Sequence, residues 1–305
     1  MFEIGAVVAG YVIEAHLGSG SSADVYRARR PAESIPLALK VFHNQDSNAR
    51  VAERLTREFS IASRLRHPHI VAMYEHGELR AGGDGDEDDA ARRTRPWLSM
   101  QYVDGPESTV LIPGPDQEPD VDAIIRVSLQ IASALDYAHQ MDVIHRDVKP
   151  ANILLSADQR SAFLTDFGIA QLLDDAKPLA RNGRVRGSIA YAAPELLSAQ
   201  QLSPQTDLYA LACTMFEWLT GLPPYPRHTT FAITYAHLRD KVPTLTSRRP
   251  WLPTALNSVF AKALAKEPAA RYDSCTEFVT IVAKILRDVA APPRRRRRWP
   301  ARLRR

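Results

Sequence analysis

Apolar positions fall into two regimes along the chain. Over residues 10–42 they form short runs divided by turn-forming residues: Tyr11-Val12-Ile13, Val25-Tyr26 and Leu37-Ala38-Leu39-Lys40-Val41-Phe42, with Gly18-Ser19-Gly20-Ser21-Ser22 between the first two. Runs of that length and punctuation predict strands. From about Ala49 to Leu65 the spacing becomes helical, with Val51, Leu55, Phe59 and Ala62 three or four residues apart. His67-Pro68 ends this helix, because proline disfavours helical backbone at the residue before it. Ile70–Tyr74 and Trp97–Val103 predict two further strands.

Beyond residue 120 the pattern is mostly helical. Val121–Gln140 gathers Ile124, Ile125, Leu129, Ile131 and Leu135 on one broad face. Leu208–Leu219 is apolar nearly all round, as a buried helix is, and Thr276–Val289 is amphipathic. Residues 104–120 carry Pro106, Pro113, Pro115 and Pro119 and predict an irregular connector. A strand-rich first third followed by a helix-rich remainder predicts an α+β chain folded as two lobes with a cleft between them.

Composition narrows the class. At 305 residues, 45% hydrophobic and 24% charged, the chain has the make-up of a folded protein. Cys213 and Cys275 are too few for a disulfide framework or a four-cysteine zinc module, and a reducing compartment is expected. Met1-Phe2-Glu3 lacks a basic leader, and no apolar run reaches the length of a membrane span. The net charge of +4 is uneven: residues 291–305 hold eight arginines and no acid. The remaining 31 basic residues face 35 acids, so the body is acidic and does not read as a nucleic-acid-binding domain. Asp84–Asp89, with five acids in six residues beside glycines, predicts a solvated loop over 82–95. A calcium-loop reading fails because no bidentate Glu follows.

The chemistry-bearing residues concentrate in His145-Arg146-Asp147-Val148-Lys149-Pro150-Ala151-Asn152 and, fourteen residues later, Asp166-Phe167-Gly168. An Asp, a Lys two residues on, an Asn five residues on and a second Asp form a kit for phosphoryl transfer. One carboxylate orients a hydroxyl and accepts its proton. The amide and the second carboxylate suit magnesium, and the lysine neutralises the transferred group.

On these residues the chain resembles the eukaryotic-type Ser/Thr protein kinases, in particular their bacterial branch, over roughly residues 10–290. Leu17-Gly18-Ser19-Gly20-Ser21-Ser22-Ala23-Asp24-Val25 is similar to the glycine-rich loop, and Ala38-Leu39-Lys40 to the strand-three lysine motif. Glu58 stands where that lysine finds its ion-pair partner. Ala193-Pro194-Glu195 resembles the motif closing the activation segment, Arg271 the arginine that pairs with its Glu, and Asp207 the aspartate bracing the catalytic loop. Each piece alone has a plainer reading: a hairpin turn, a strand lysine, a solvated helix glutamate, a packed core histidine at His145.

The resemblance implies a bilobal kinase fold, with an N-lobe over 1–103 and a C-lobe over 104–290. The catalytic loop is then 145–152, the activation segment 166–195, and 291–305 a disordered basic tail. It implies catalysis by Asp147 and Lys149, and ATP held by Leu17, Gly18, Ser19, Gly20, Ser21, Val25, Lys40, Glu58, Met100 and Val103. Asn152 and Asp166 become the ligands of magnesium, with manganese an alternative. The expected activity is transfer of the γ-phosphoryl of ATP to Ser/Thr hydroxyls of proteins, self-phosphorylation included. Lys149, and Gly187-Ser188 before Ile189-Ala190-Tyr191, which resembles the family's substrate-docking loop, point to Ser/Thr acceptors.

The match departs from the pattern in three places. Ala23 replaces the third glycine, at a cost on the order of 1 kcal/mol should its φ be positive. No Ser, Thr or Tyr lies between Phe167 and Gly187, so Arg146, which resembles the arginine that receives an activation-loop phosphate, has no phosphorylatable partner there; either Asp174 or Asp175 is expected to substitute, or packing holds the segment active. The proline-rich connector replaces a helix below the nucleotide. Competing readings are a pseudokinase scaffold, disfavoured by intact Lys40, Asp147, Asn152 and Asp166, and a small-molecule phosphotransferase, disfavoured by Ala193-Pro194-Glu195 and Arg271. Arg294–Arg298, with Trp299, Arg302, Arg304 and Arg305, is a plain basic tail, a contact to an anionic membrane, or a non-specific, salt-dependent contact to nucleic acid, specific nucleic-acid binding being unexpected. The expected location is cytoplasmic, including the inner membrane face.

Overall fold

The computed structural model describes residues 1–20, 23–31, 33–43, 56, 59–60, 62–80, 94–167, 189–287 and 289. Six strands, β1 (Val7–Val8), β2 (Tyr11–Ser19), β3 (Ala23–Arg29), β4 (Leu37–Phe42), β5 (Met73–Arg80) and β6 (Thr94–Gln101), form one antiparallel sheet in the order β1-β2-β3-β4-β6-β5. The continuous run Leu37–Phe42 makes β4 buried along its whole length, so Lys40 sits with its neighbours out of water. Val25 pairs with Lys40 across β3 and β4, and Lys40 with Leu98 across β4 and β6.

The strand expected over Ile70–Tyr74 is displaced. β5 begins at Met73, while the backbone of His69 and Val71 bonds to Leu164, and Ile70 makes a single parallel bridge there. The apolar residues of this stretch tie the sheet to the helical lobe. The true strand was hidden by Glu75-His76-Gly77-Glu78, where Gly77 is needed because a Cβ would lie 2.9 Å from the Trp97 ring. β6 likewise ends at Gln101 rather than Val103. Thr56, Phe59, Ser60 and Ala62 are helical, while the rest of the expected helix up to residue 61, Glu58 included, lies outside the described residues. The acidic stretch 82–89 and the tail 291–305 also lie outside them.

The second lobe is built on helices α1 (Val121–Gln140), α2 (Pro194–Leu197), α3 (Pro204–Thr220), α4 (Thr230–Arg239), α5 (Ala255–Ala263) and α6 (Cys275–Leu286). α1 starts where the Asp120 side chain accepts from Ala123 N, 3.0 Å away, and presents Ile124, Val127, Ile131 and Leu135 to the core. α3 opens on Pro204, ends at Gly221 in the left-handed region, and is buried on nearly every face. A two-stranded sheet of β7 (Ile153–Leu155) and β8 (Ala162–Leu164) covers the side facing the first lobe. The connector 104–120 holds a single 3-10 turn, Ser108–Leu111, as its prolines predict. It is nonetheless anchored: Ser108 Oγ donates to Pro150 O at 2.7 Å, and Trp218 Nε1 donates to Ser108 O at 3.1 Å.

Candidate active site at the junction of the lobes

The loop between α1 and β7 places the first carboxylate. Asp147 Oδ2 accepts from Lys149 Nζ at 2.6 Å and from Asn152 Nδ2 at 2.9 Å, and Asn152 Nδ2 also reaches Asp147 O at 2.8 Å. The two-residue and five-residue spacings seen in the sequence thus close on one carboxylate. The loop itself is braced from below by Asp207 of α3. Its Oδ1 accepts the Arg146 N–H and its Oδ2 the His145 N–H, both at 2.8 Å, and His139 Nε2 is 2.8 Å from the same Oδ2. Burial alone would raise the Asp207 carboxyl, but His139 and the loop amides hold it below the usual carboxylate range.

His145 is fully buried, and its role follows from its partners. Nδ1 accepts the Asp147 N–H at 3.2 Å, so Nε2 carries the ring proton and donates to Thr165 O at 2.8 Å. The imidazole therefore welds the loop between α1 and β7 to the residue before Asp166, and burial pushes its pKa down. Arg146 at φ 70° and Asp166 at φ 64° occupy the left-handed region without being glycine. Such backbone is strained, and it persists here because hydrogen bonds on both flanks fix it.

Asp166 meets Lys40 from the other lobe: Nζ lies 2.7 Å from Oδ1. Burial pushes the Asp166 carboxyl up, and the Lys40 ammonium, helped by His145 and Lys149, more than reverses this, leaving it below its ordinary value. Asn152 turns its amide nitrogen to Asp147, and its amide oxygen together with the Asp166 carboxylate supplies the hard oxygen donors that Mg²⁺ takes. The residues present therefore fit such an ion.

The remaining expected nucleotide contacts lie along the sheet. Gly18 pairs with Val25 and Ser19 with Asp24, and Gly20 N donates to Ala23 O at 2.8 Å. Ser19 Oγ donates to Asp24 Oδ1 at 2.7 Å, tightening the turn. Ala23 is an ordinary strand residue paired with Phe42 and lies outside the positive-φ set, so the cost anticipated for alanine does not arise. Leu17 is exposed, Val25 and Val103 are half-buried, and Met100 is buried beside Thr165. Ser21, Glu58, Gly168, Asp174, Asp175, Gly187 and Ser188 lie outside the described residues.

Below the site, Glu195 and Arg271 form a buried bidentate pair, with Nη1–Oε1 2.7 Å and Nη2–Oε2 2.8 Å. Sequence reading missed Glu107, which pairs with Leu154 in a backbone bridge. Burial pushes its carboxyl up while the Lys149 charge pulls it down. A single Glu in a proline-rich connector carries no periodic signal. It also missed His139, hidden among the polar residues ending α1. Asp136, His139 and Cys275 bring ligand atoms within 4.8 Å of one another. Yet Asp136 accepts the Cys275 and Thr276 N–H groups at the start of α6, and His139 serves Asp207, so the cluster is a structural junction. Cys213 and Cys275 are both free and buried.

A curled antiparallel sheet over a helical lobe, with Lys40–Asp166 spanning the junction and Asp147, Lys149 and Asn152 grouped on one loop, defines the class of bilobal phosphotransferase folds. The protein kinase domain model matches residues 11–282, and the chain belongs to the protein kinase family. Among its relatives is the serine/threonine-protein kinase PknF of Mycobacterium tuberculosis, 38% identical over 296 residues, covering 94% of this chain and 59% of the relative. PknJ of the same organism is 38% identical over 291 residues, covering 92% and 46%. The chain thus spans about half the length of these relatives. The crystal structure of the M. tuberculosis PknI kinase domain superposes with a TM-score of 0.72 at 32% identity, covering 93% of this chain and 99% of that one.

Proposed function

We propose that the protein is an active Ser/Thr protein kinase that transfers the γ-phosphoryl group of ATP to hydroxyls of protein substrates. The observation carrying this reading is the Asp147 carboxylate, oriented by Lys149 Nζ and Asn152 Nδ2 on a loop that His145 ties to Asp166. Asp147 orients the acceptor hydroxyl and takes its proton as the oxygen attacks phosphorus. The bond from the γ-phosphorus to the bridging oxygen breaks, and ADP leaves with that electron pair. Lys149 lies against the same carboxylate and neutralises charge on the group in flight. Lys40 faces the nucleotide as a point charge on its phosphates. Leu17, Gly18, Ser19, Gly20, Ser21, Val25, Met100 and Val103 line the nucleotide side, and Glu58 is the proposed partner of Lys40. Asn152 and Asp166 would hold Mg²⁺, or Mn²⁺, which when bound would screen the phosphate oxygens.

Ser/Thr specificity is supported by Lys149 and by the Ser/Thr-kinase names of the relatives. The division into lobes at 103/104 and the catalytic and activation segments 145–152 and 166–195 belong to the same proposal. The test is incubation of the chain with radiolabelled ATP, Mg²⁺ and a Ser/Thr-bearing substrate, beside Asp147→Asn. Loss of the base should cost roughly 10²–10⁴-fold in turnover. No transfer by wild type under nucleotide saturation establishes the scaffold reading instead, and full turnover by the variant removes Asp147 from its role.

Among the described residues no helix is long and apolar enough to cross a membrane. We propose that the arginines at 294–305 attach the chain peripherally to anionic bilayers, each worth about 1 kcal/mol near such a surface. Replacing Arg294–Arg298 by serine should abolish co-sedimentation with anionic liposomes. Equal binding of both forms removes the idea.

A further inference from the structure

A set of buried polar groups that takes no part in the chemistry above collects beneath Ile189–Ala193, the described end of the segment in which the resemblance places substrate docking. From α3, Glu217 accepts the Tyr191 hydroxyl. From α4, the fully buried His237 brings Nε2 to 3.1 Å from Ala190 O and Nδ1 to 2.9 Å from the Tyr209 hydroxyl. A carbonyl only accepts, so Nε2 carries the proton, Nδ1 is the acceptor, and Tyr209 donates to it.

The backbone of His237 is itself locked. Lys266 Nζ lies 2.7 Å from His237 O, 3.2 Å from Ala236 O and 3.0 Å from the Tyr225 hydroxyl. It therefore satisfies two of the carbonyls at the end of α4, where a cation is favoured. Its ammonium sits 4.8 Å over the Tyr225 ring, which meets the His237 ring edge-on at 4.9 Å. Arg271, paired with Glu195, stacks at 4.8 Å on Tyr209. The imidazole thus has a fixed tautomer, position and backbone.

We infer that His237, with its backbone held by Lys266, is a positioning residue that sets the height of the acceptor-docking turn through the Ala190 carbonyl. This rests on the kinase reading above. The Tyr191–Glu217 contact alone tethers a side chain, about which the peptide planes of 189–191 still rotate. The Ala190–His237 contact tethers the backbone, and the two together anchor the turn to α3 and α4. An acceptor hydroxyl presented along this turn reaches Asp147 at a defined depth, and misplacement of about 1 Å at such a step is costly.

The test uses the full chain with ATP, Mg²⁺ and a Ser-bearing peptide, measuring KM for peptide and KM for ATP separately, with thermal unfolding alongside. His237→Phe keeps a planar ring and removes the donor. It should raise the peptide KM about five- to tenfold, the effect of one lost hydrogen bond, with the ATP KM unmoved. His237→Gln, whose amide nitrogen reaches toward the Nε2 position, should restore most of the loss. Lys266→Met, which frees the end of α4, should shift the same constant in the same direction and stands in should His237→Phe not fold. An unchanged peptide KM in the folded variants overturns the inference, as does a peptide KM that rises only together with the ATP KM and a lowered unfolding temperature. No transfer by wild type overturns the kinase reading itself, whereas transfer with an unmoved peptide KM overturns only the role of His237.

Discussion

Lys40 and Asp166 are 126 residues apart in the chain and 2.7 Å apart in the fold, one in the middle of the sheet and the other following β8. Asp166 carries its charge in a desolvated place because Lys40 faces it. Replacing Lys40 by Met should therefore act twice. Nucleotide turnover should fall at least about 10²-fold, the usual effect of deleting one charge aimed at a reacting phosphate. The Asp166 carboxyl should also lose its main stabilising neighbour, costing on the order of 2 kcal/mol at neutral pH. Steady-state kinetics and urea unfolding of the same variant separate the two effects. Unchanged turnover would falsify the nucleotide role.

The Glu195–Arg271 pair makes a prediction of the opposite kind, about stability. Arg271 is held by both Glu195 oxygens and by Ala265 O, Gln205 O and Lys266 O. Both side chains are almost wholly out of water. Arg271→Ala leaves a buried carboxylate alone and should cost about 3–5 kcal/mol. Arg271→Lys keeps the charge but loses the two-pronged geometry, so it should recover less than half of that. Denaturant midpoints of the two variants decide this, and equal midpoints for Lys and wild type would contradict the bidentate account.

How much of this was legible in the sequence depends on where each signal lives. The bounds of α1 were readable to the residue between Asp120 and Met141, but its buried face was read too broadly: Leu129 is exposed, and the core side is carried by Ile124, Val127, Ile131 and Leu135. β4 was readable as an apolar run interrupted only by Lys40. β5 was placed too early, because its interior carries Glu75, His76, Gly77 and Glu78, whose contacts lie elsewhere in the chain: Glu75 binds Arg30 and Tyr11, and Gly77 admits Trp97 of the neighbouring β6. β1, β7 and β8 are two or three residues long and carry no period at all. At the site, the spacing of Asp147, Lys149 and Asn152 is local and therefore visible. The brace of Asp207 on the loop amides, 61 and 62 residues away, was legible only through the family resemblance, while the cap of Lys266 on α4 and the reach of Ser108 to Pro150 join residues 29 and 42 positions apart and leave no local pattern in the sequence.

Acid should weaken the fold in a defined window. Burial, and then the nearby Lys266 charge, push the His237 pKa from 6.5 down to about 3. Tyr209 and Tyr225 also face the ring and stay neutral there. Between pH 6.5 and 3 the unfolded chain takes up a proton that the folded one refuses, so stability falls as pH drops through this range. By pH 5 the loss from His237 alone is on the order of 2 kcal/mol. The buried His145 adds to it in the same direction. Glu195 and Asp207, whose carboxyls lie below their ordinary values, withdraw their contribution only at lower pH. His237→Gln does not titrate, so its stability should fall less steeply than wild type between pH 7 and 5. Parallel slopes in denaturant titrations at these pH values would remove His237 as a source.

Gly105 supplies the sharpest test of the connector. A Cβ there would lie 2.2 Å from Leu155 O, 2.7 Å from Ser156 C and 2.8 Å from Ser156 O. These are backbone atoms, which no rotamer change moves aside, so Gly105→Ala must displace the connector from β7. The adjoining contacts carry that shift onward: Leu155 N donates to Pro106 O at 2.8 Å, and Ser108 Oγ donates to Pro150 O in the proposed catalytic loop at 2.7 Å. The substitution should cost roughly 1–3 kcal/mol, as overpacking does, and should raise the KM for ATP, since Val103 is two residues away. Gly114 is the control, because a Cβ there meets only the flexible Gln117 side chain, 3.5 Å off. Gly114→Ala should leave the unfolding midpoint and the ATP KM where they are. Equal behaviour of the two alanine variants would show that the connector yields freely, and that its hold on Pro150 does not position the catalytic loop.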